Sequence, residues 1–136
     1  MANVYTMASP ILLAFNNQFT EFMDDIVRVF PSNKDILTTK NMMATLRAGN
    51  PRLLVKIWKS FIADPYSTEI ENGDISFFID KDYVSDLQQM GDADKIVRSI
   101  DRLRDPIRNM ERSNQDACMK YIQNLSKLST IYFQNN

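Results

Sequence analysis

The sequence contains no histidine, a single cysteine and only three glycines among its 136 residues. Without histidine, the chain lacks the commonest general base, the usual partner of a catalytic serine or cysteine, and the commonest zinc ligand. Because Cys118 has no second cysteine to pair with, an internal disulfide is excluded, and we expect a reducing compartment. We expect this thiol to be a small buried hydrophobic group rather than a reactive one.

Long apolar runs and a strong charge of either sign are also absent. No stretch approaches the ~20 apolar residues that cross a bilayer as a helix, so we expect no membrane span. Sixteen basic and 17 acidic residues leave a net charge of −1, which provides no overall attraction to nucleic acid. The apolar content of 44% and the length of the chain predict one folded domain over residues 1–136.

Apolar residues recur every three or four positions through most of the chain, which predicts a compact all-α bundle of about six helices. After a leader at residues 1–8, Ser9 and Pro10 suit the N-cap and the first position of a helix that Pro31 ends. The predicted buried side of this first helix contains Leu12, Phe15, Phe19, Phe22, Met23, Ile26 and Phe30.

Two further helices are predicted in the first half of the chain. Ser32 and Asn33 are suitable caps for the second, which Gly49 closes in a left-handed conformation. Asn50 and Pro51 then start the third helix, which has a wide apolar stripe around Trp58. Such a stripe is expected to be central to the core while leaving a residue or two exposed.

The region from residue 66 to residue 91 has the weakest pattern. Gly73 and Gly91 are suitable helix ends. The apolar run at residues 75–79 fits a short strand, but together with the later Tyr83, Val84 and Leu87 it fits two short helices about as well. Between these alternatives, we predict helices.

Two helices are predicted to complete the bundle. Asp92 and Asp94 favour a helix start, because carboxylates interact well with the positive end of a helix dipole. Pro106 is expected to end or kink that helix near Asp105. A long C-terminal helix follows, with a tail at residues 133–136, and its predicted apolar face contains Cys118, Tyr121, Ile122, Leu125, Leu128 and Tyr132.

Carboxylates are the only remaining metal ligands, and two Asp-x-Asp pairs occur, Asp80 with Asp82 and Asp92 with Asp94. Such pairs can hold Mg²⁺, but their spacing is unspecific. A calcium loop starting at Asp80 fails, because Gly91 occupies the position of the bidentate glutamate. We interpret these acids as helix caps and solvated groups, and we predict no metal, no cofactor and no enzymatic activity.

Charge is unevenly distributed along the chain. Residues 69–94 contain eight acids and one lysine, net −7, whereas residues 95–112 contain six basic and three acidic residues, net +3. Such a surface can select a partner by complementary charge, although acids at helical pair distances also allow internal neutralisation, which we favour. With an interface-prone tryptophan added, the candidate interaction surface consists of Trp58, Arg52, Lys56, Lys59, Arg98, Arg102, Arg108 and Arg112.

Five segments carry a resemblance that covers about Ile11 to Tyr132. They are FNNQFTEFMDDIVRVFP (15–31), NPRLLVKIWKSFI (50–62), GDISFFIDKDY (73–83), RLRDPIRNM (102–110) and CMKYIQNLSKL (118–128). In this order they resemble small uncharacterised helical proteins of nucleocytoplasmic large DNA viruses, relatives of chlorella viruses and mimivirus. The resemblance implies a minor capsid protein that fastens neighbouring capsid subunits. Its partners would be other capsid or virion proteins, and its location the virion and, during assembly, the host cytoplasm.

Three alternatives remain open. A nucleic-acid-associated virion protein would use Arg47 and the basic residues of the candidate surface to bind phosphates, although the net charge argues against it. A viral regulator would occupy a host protein instead. A metal-dependent enzyme would require the four aspartates of the Asp-x-Asp pairs to line one cleft.

Overall fold

The structure is a computed structural model that describes residues 4–80 and 92–134, with side-chain detail for residues 10–80 and 95–134. All regular structure in these ranges is helical, so the all-α prediction is confirmed. The elements are α1 (Val4–Val29), α2 (Lys34–Gly49), α3 (Leu53–Trp58) with a π-helical extension (Lys59–Ala63), α4 (Ser67–Glu71), α5 (Ser76–Asp80), α6 (Asp92–Asp101), α7 (Arg104–Arg108) and α8 (Arg112–Gln134).

The first helix begins earlier than its proline predicts. α1 starts at Val4, so the leader predicted at residues 1–8 is wrong for residues 4–8, and Pro10 lies inside the helix. Pro10 leaves the carbonyl of Thr6 without its helical N–H donor, and no glycine or other proline precedes it to stop the helix. The predicted core side of α1 is confirmed, with Phe15, Phe19, Phe22, Met23 and Ile26 at most 2% exposed.

The start of α2 is as predicted, but its end is not. The Asn33 side chain accepts hydrogen bonds from the backbone N–H groups of Asp35 and Ile36, which satisfies two donors of the first turn. Gly49 closes the helix without the predicted left-handed conformation. The N–H of the following Asn50 instead donates to the carbonyl of Leu46 at 2.7 Å, so a glycine with positive φ is not required.

Of the predictions for the region after α3, two are confirmed and two lie outside the described residues. Gly73 ends a helix with φ +71°, as predicted, and its N–H donates to the carbonyl of Ile70 at 3.1 Å. The apolar run around Phe78 is helical rather than extended, which confirms the choice of a helix there. The second predicted helix, with Tyr83, Val84 and Leu87, and the predicted end at Gly91 lie outside the described residues.

Pro106 does not end a helix. α6 already ends at Asp101, because the chain turns to place Leu103 in the core at 0% exposure. Pro106 is the third residue of α7, in a first turn where a missing N–H costs no helical hydrogen bond. The predicted end or kink near Asp105 instead lies at Arg102 and Leu103, where the chain turns between α6 and α7, whereas the predicted helix start at Asp92 is confirmed.

The long helices α1 and α8 pack antiparallel and provide the centre of the bundle. The Tyr121 hydroxyl donates to Asp25 at 2.5 Å, and the Asn124 amide donates to Gln18 at 3.2 Å, so the later α8 residue meets the earlier α1 residue. The long C-terminal helix is confirmed, but it continues to Gln134, so the predicted tail is wrong for its first two residues. Residues 135–136 lie outside the described range.

One buried hydroxyl in α2 has no partner, which leads to a stability prediction. Thr39 is 0% exposed, and its Oγ1 has no hydrogen-bond partner within the described structure. Thr39→Val replaces this hydroxyl with a methyl group, so we expect the free energy of unfolding to rise by about 1 kcal/mol. Urea unfolding measures the change.

The matched control for this substitution is Thr45→Val in the same helix. Thr45 is exposed, and its hydroxyl donates to the carbonyl of Asn41. We expect the control to change the free energy of unfolding by less than about 0.5 kcal/mol. A loss of stability in Thr39→Val would show that the buried hydroxyl has a partner in solution.

Candidate interaction surface

Trp58 belongs to the core and not to the surface, which corrects its place in the candidate set. Its side chain is 0% exposed and meets the rings of Phe15 and Phe19 edge to face, with centroids 6.4 and 6.0 Å away. Its Nε1–H donates to the buried hydroxyl of Ser126 at 3.0 Å. The physical reason is that α3 contacts α1, α2, α6 and α8, which leaves its apolar stripe no exposed edge at this position.

The basic residues of α3 lie on its outer side. Arg52 at the N-cap and Lys56 within the helix are exposed. The buried residues of α3 are Leu54, Val55, Ile57 and Trp58. Lys59 forms an ion pair with Asp64 across the π-helical turn, so its charge is partly balanced within the chain. The contribution of this part of the chain to an interaction surface therefore comes mainly from Arg52 and Lys56.

The basic residues of α6 form a second exposed row. Lys95 and Arg98 are exposed in α6, and the exposed Arg102 directly follows the last residue of the helix. The opposite side of α6 is buried and contains Ile96, Val97 and Ile100. α3 packs against α6, so the two exposed rows belong to helices that are in direct contact. We call this group the basic face, which consists of Arg52, Lys56, Lys95, Arg98 and Arg102.

Two predicted surface residues lie away from the basic face. Arg108 belongs to α7, where it contacts Asp105 at 2.8 Å and Asp80 at 3.9 Å and donates to the carbonyl of Ile79. These contacts connect α7 to α5, so Arg108 has a structural role within the chain. Arg112 is exposed at the first residue of α8, and no described contact joins it to the basic face.

Lys95 is the basic-face residue that the sequence prediction missed. Its signal was available, since it stands three residues before Arg98 and seven before Arg102, which places all three on one side of a helix. The prediction considered only the arginines and therefore omitted Lys95, which lies one turn before Arg98.

The aspartate pairs do not yield a metal site within the described part of the chain. No group of three potential ligands among histidine, cysteine, aspartate and glutamate occurs there. Asp80 is exposed and lies 3.9 Å from Arg108, whose positive charge disfavours a metal cation at this carboxylate. Asp82 and the side chains of Asp92 and Asp94 lie outside the detailed ranges.

The Cys118 thiol and the Tyr121 phenol line a small cavity of about 90 Å³ between α1, α8 and Met110. Burial and the nearby Asp25 carboxylate raise the pKa of the Cys118 thiol to about 12. The hydrogen bond to Asp25, with a smaller contribution from burial, raises the pKa of Tyr121 to about 12. Both groups are neutral at pH 7, and Cys118 is a buried thiol as predicted.

These two raised pKa values predict an alkaline loss of stability. The unfolded chain releases the Cys118 and Tyr121 protons near their ordinary pKa values of 9.0 and 10.0, before the folded chain does. Stability from these groups is therefore complete below about pH 9 and is lost as the pH rises towards 12. Urea unfolding measured at a series of pH values tests this expectation.

The control for the alkaline effect is the double variant Cys118→Ala with Tyr121→Phe. Its stability at pH 7 is lower, because a core group and a hydrogen bond are lost, but its alkaline decline is expected to be shallower. Equal slopes in the variant and the original protein would contradict the assignment of the effect to these two residues.

No helix in the described ranges has both the length and the apolar character needed to cross a bilayer. Comparison of the chain with protein families, curated proteins and solved structures gives no match.

Proposed function

We propose that this protein is a non-catalytic structural component of a virus particle, a minor capsid protein that fastens neighbouring capsid subunits. It works in the virion and, during assembly, in the host cytoplasm. The observation that carries the proposal is the basic face of α3 and α6, an exposed group of like charges on a chain of net charge −1. The sequence resemblance to helical proteins of large DNA viruses supplies the setting.

The local charge distribution favours an acidic protein surface as the partner. No carboxylate occurs between Asn50 and Ala63, so Arg52 and Lys56 have no acidic neighbour within their own segment. Within the last turn of α6, Asp101 is half-buried and forms a 3.3 Å ion pair with Arg104. Complementary charge across an interface directs orientation and partner choice more than it adds affinity. A fastening protein needs this orientation to join subunits in one arrangement.

The rigid support beneath the basic face also favours a fastening role. Leu54, Val55 and Ile57 of α3 and Ile96 and Val97 of α6 are at most 5% exposed. Their packing fixes the two helices relative to each other, so the exposed cations keep their spacing. Docking then orders only the cationic side chains and not the helices that carry them, which limits the entropic cost of association.

Cross-linking mass spectrometry of purified particles tests this function. An amine-reactive reagent is expected to link Lys56 and Lys95 to the major capsid protein or another capsid subunit. Lys120 and Lys127, exposed on α8, provide internal controls for random reaction at surface lysines. Absence of the protein from purified particles would reject the proposal, as would capsid links confined to the two α8 lysines.

A nucleic-acid-associated virion protein is the second candidate, because exposed cations on two adjacent helices also suit phosphate groups. Its affinity for a DNA duplex would fall steeply between about 50 and 200 mM salt. Fluorescence anisotropy with a labelled duplex separates the candidates, since the capsid function predicts no binding in this range. Capture of a host protein, without incorporation into particles, would favour the third candidate, a viral regulator.

A further inference from the structure

An open groove of about 590 Å³ lies between α2 and the start of α6. Its floor includes the half-buried Met42 and Leu46, and Lys95 of the basic face stands at its edge. The full set of lining residues is Thr38, Asn41, Met42, Thr45, Leu46, Gly49, Asn50 and Lys95. Among the residues whose side chains the structure describes, the groove combines an apolar floor with one positive charge.

Internal contacts leave the groove surface mainly apolar. The Ser99 hydroxyl of α6 donates to the carbonyl of Lys95 at 2.8 Å and contacts the Met42 sulfur at 3.0 Å, which fixes the floor. The Thr45 hydroxyl donates to the carbonyl of Asn41 at 3.0 Å, so its methyl group remains available to a partner. A thioether floor adapts readily to apolar side chains of different shapes.

Two other cavities were weaker candidates. A groove of about 600 Å³ between α4 and α8 carries both Glu71 and Lys127, and its Gln123 amide already donates to the carbonyl of Ile70. Opposite charges and satisfied polar groups give that groove no preference for a partner of either sign. The cavity of about 90 Å³ at Cys118 is too small for anything beyond a few atoms.

We propose that the groove between α2 and α6 docks an amphipathic helical segment of a partner protein, with large apolar side chains flanked by aspartate or glutamate. This inference rests on the proposed function and names the chemistry of the partner. A helix is the matching element, because a groove between two helices accepts the side-chain ridge of a third. The partner's apolar side chains contact Met42 and Leu46.

Charge complementarity selects the acidic flank of the partner. Lys95 stands at the groove edge, and Arg102 continues the same exposed row two turns later. A carboxylate about one turn from the apolar side chains of the partner helix meets Lys95, and later carboxylates meet the remainder of the basic face. A basic partner helix would instead place like charges together, which disfavours it.

Selection from a displayed library of random peptides tests the inference, and it does not require the partner to be identified first. Peptides of about 16 residues form about four helical turns, which is long enough to fill the groove. We expect selection on the immobilised protein to enrich peptides that combine apolar residues at helical spacing with aspartate or glutamate. Fluorescence anisotropy then measures the affinity of each selected peptide.

Two substitutions localise the binding. Thr45→Trp fills the groove from an exposed position and is expected to weaken selected peptides at least about tenfold, with Thr68→Trp on α4 as the matched control. Lys95→Glu is expected to weaken them about fivefold, with Lys120→Glu on α8 as its control. Each control should change the affinity by less than about twofold.

The outcomes separate the groove inference from the capsid function. No enrichment, enrichment of lysine- and arginine-rich peptides, or equal binding to Thr45→Trp overturns the groove inference. If Lys56 still forms capsid cross-links in any of those cases, the proposed function stands without the groove. If acidic amphipathic peptides bind as expected but the protein is absent from particles, the groove stands and the capsid function fails.

Discussion

Replacing Trp58 with alanine is expected to lower the free energy of unfolding by about 3–5 kcal/mol, the range found when large buried aromatics are truncated. The side chain is 0% exposed and contacts the rings of Phe15 and Phe19. Its removal also leaves the buried Ser126 hydroxyl without the indole N–H donor. The change amounts to a large fraction of the stability of a typical domain. Urea unfolding followed by far-ultraviolet circular dichroism measures it.

Two further variants separate packing from surface effects. Phe133→Ala truncates an aromatic that is 40% exposed near the end of α8, and we expect a loss below about 1 kcal/mol. Trp58→Phe keeps an aromatic ring but removes the N–H donor, so its loss should fall between the other two. A Trp58→Ala protein as stable as Phe133→Ala would contradict the buried position of this tryptophan.

Reversing two charges of the basic face, in Lys56→Glu combined with Arg102→Glu, is expected to reduce incorporation into particles at least about tenfold. Both side chains are exposed on adjacent helices, so repulsion from an acidic partner replaces attraction at two points. Quantitative mass spectrometry of particles assembled with the variant gives the copy number relative to the major capsid protein.

The control for this charge reversal is Lys120→Glu combined with Lys127→Glu. These residues are exposed on α8, outside the basic face, and the net charge changes by the same amount. We expect near-normal incorporation of the control, and for both variants a change in unfolding free energy within about 1 kcal/mol. Equal loss of both proteins from particles would attribute the effect to overall charge and reject the basic face as the docking surface.

Helical spacing predicted the core of the bundle well, because burial of a helix face depends on a repeat that the sequence contains. Phe15, Phe19 and Phe22 in α1 and Ile122 and Leu125 in α8 are buried as their spacing indicates. The errors concern the effect of single residues on where a helix begins or ends. Pro10 and Pro106 both lie inside helices, because a proline in an early turn removes at most one hydrogen bond.

The candidate surface was harder to predict, because exposure depends on which other helices pack against a given side. Trp58 and Lys56 are two residues apart in one helix, yet one is enclosed by neighbouring helices and the other is exposed. Arg108 looked equivalent to Arg102 in sequence, but its contacts with Asp80 and Ile79 depend on where α5 lies. Such distinctions arise from tertiary neighbours, which a single sequence does not specify.

The contact between Trp58 and Ser126 joins residues 68 positions apart, and Trp58 is the single tryptophan of the chain. Intrinsic fluorescence therefore reports the moment at which the last helix docks onto the third, without a second emitter to obscure it. In stopped-flow refolding, helix formation seen by circular dichroism should precede the shift of emission to shorter wavelength, since local turns form faster than distant contacts close. The fluorescence of Trp58 is thus an intrinsic probe of when the bundle assembles.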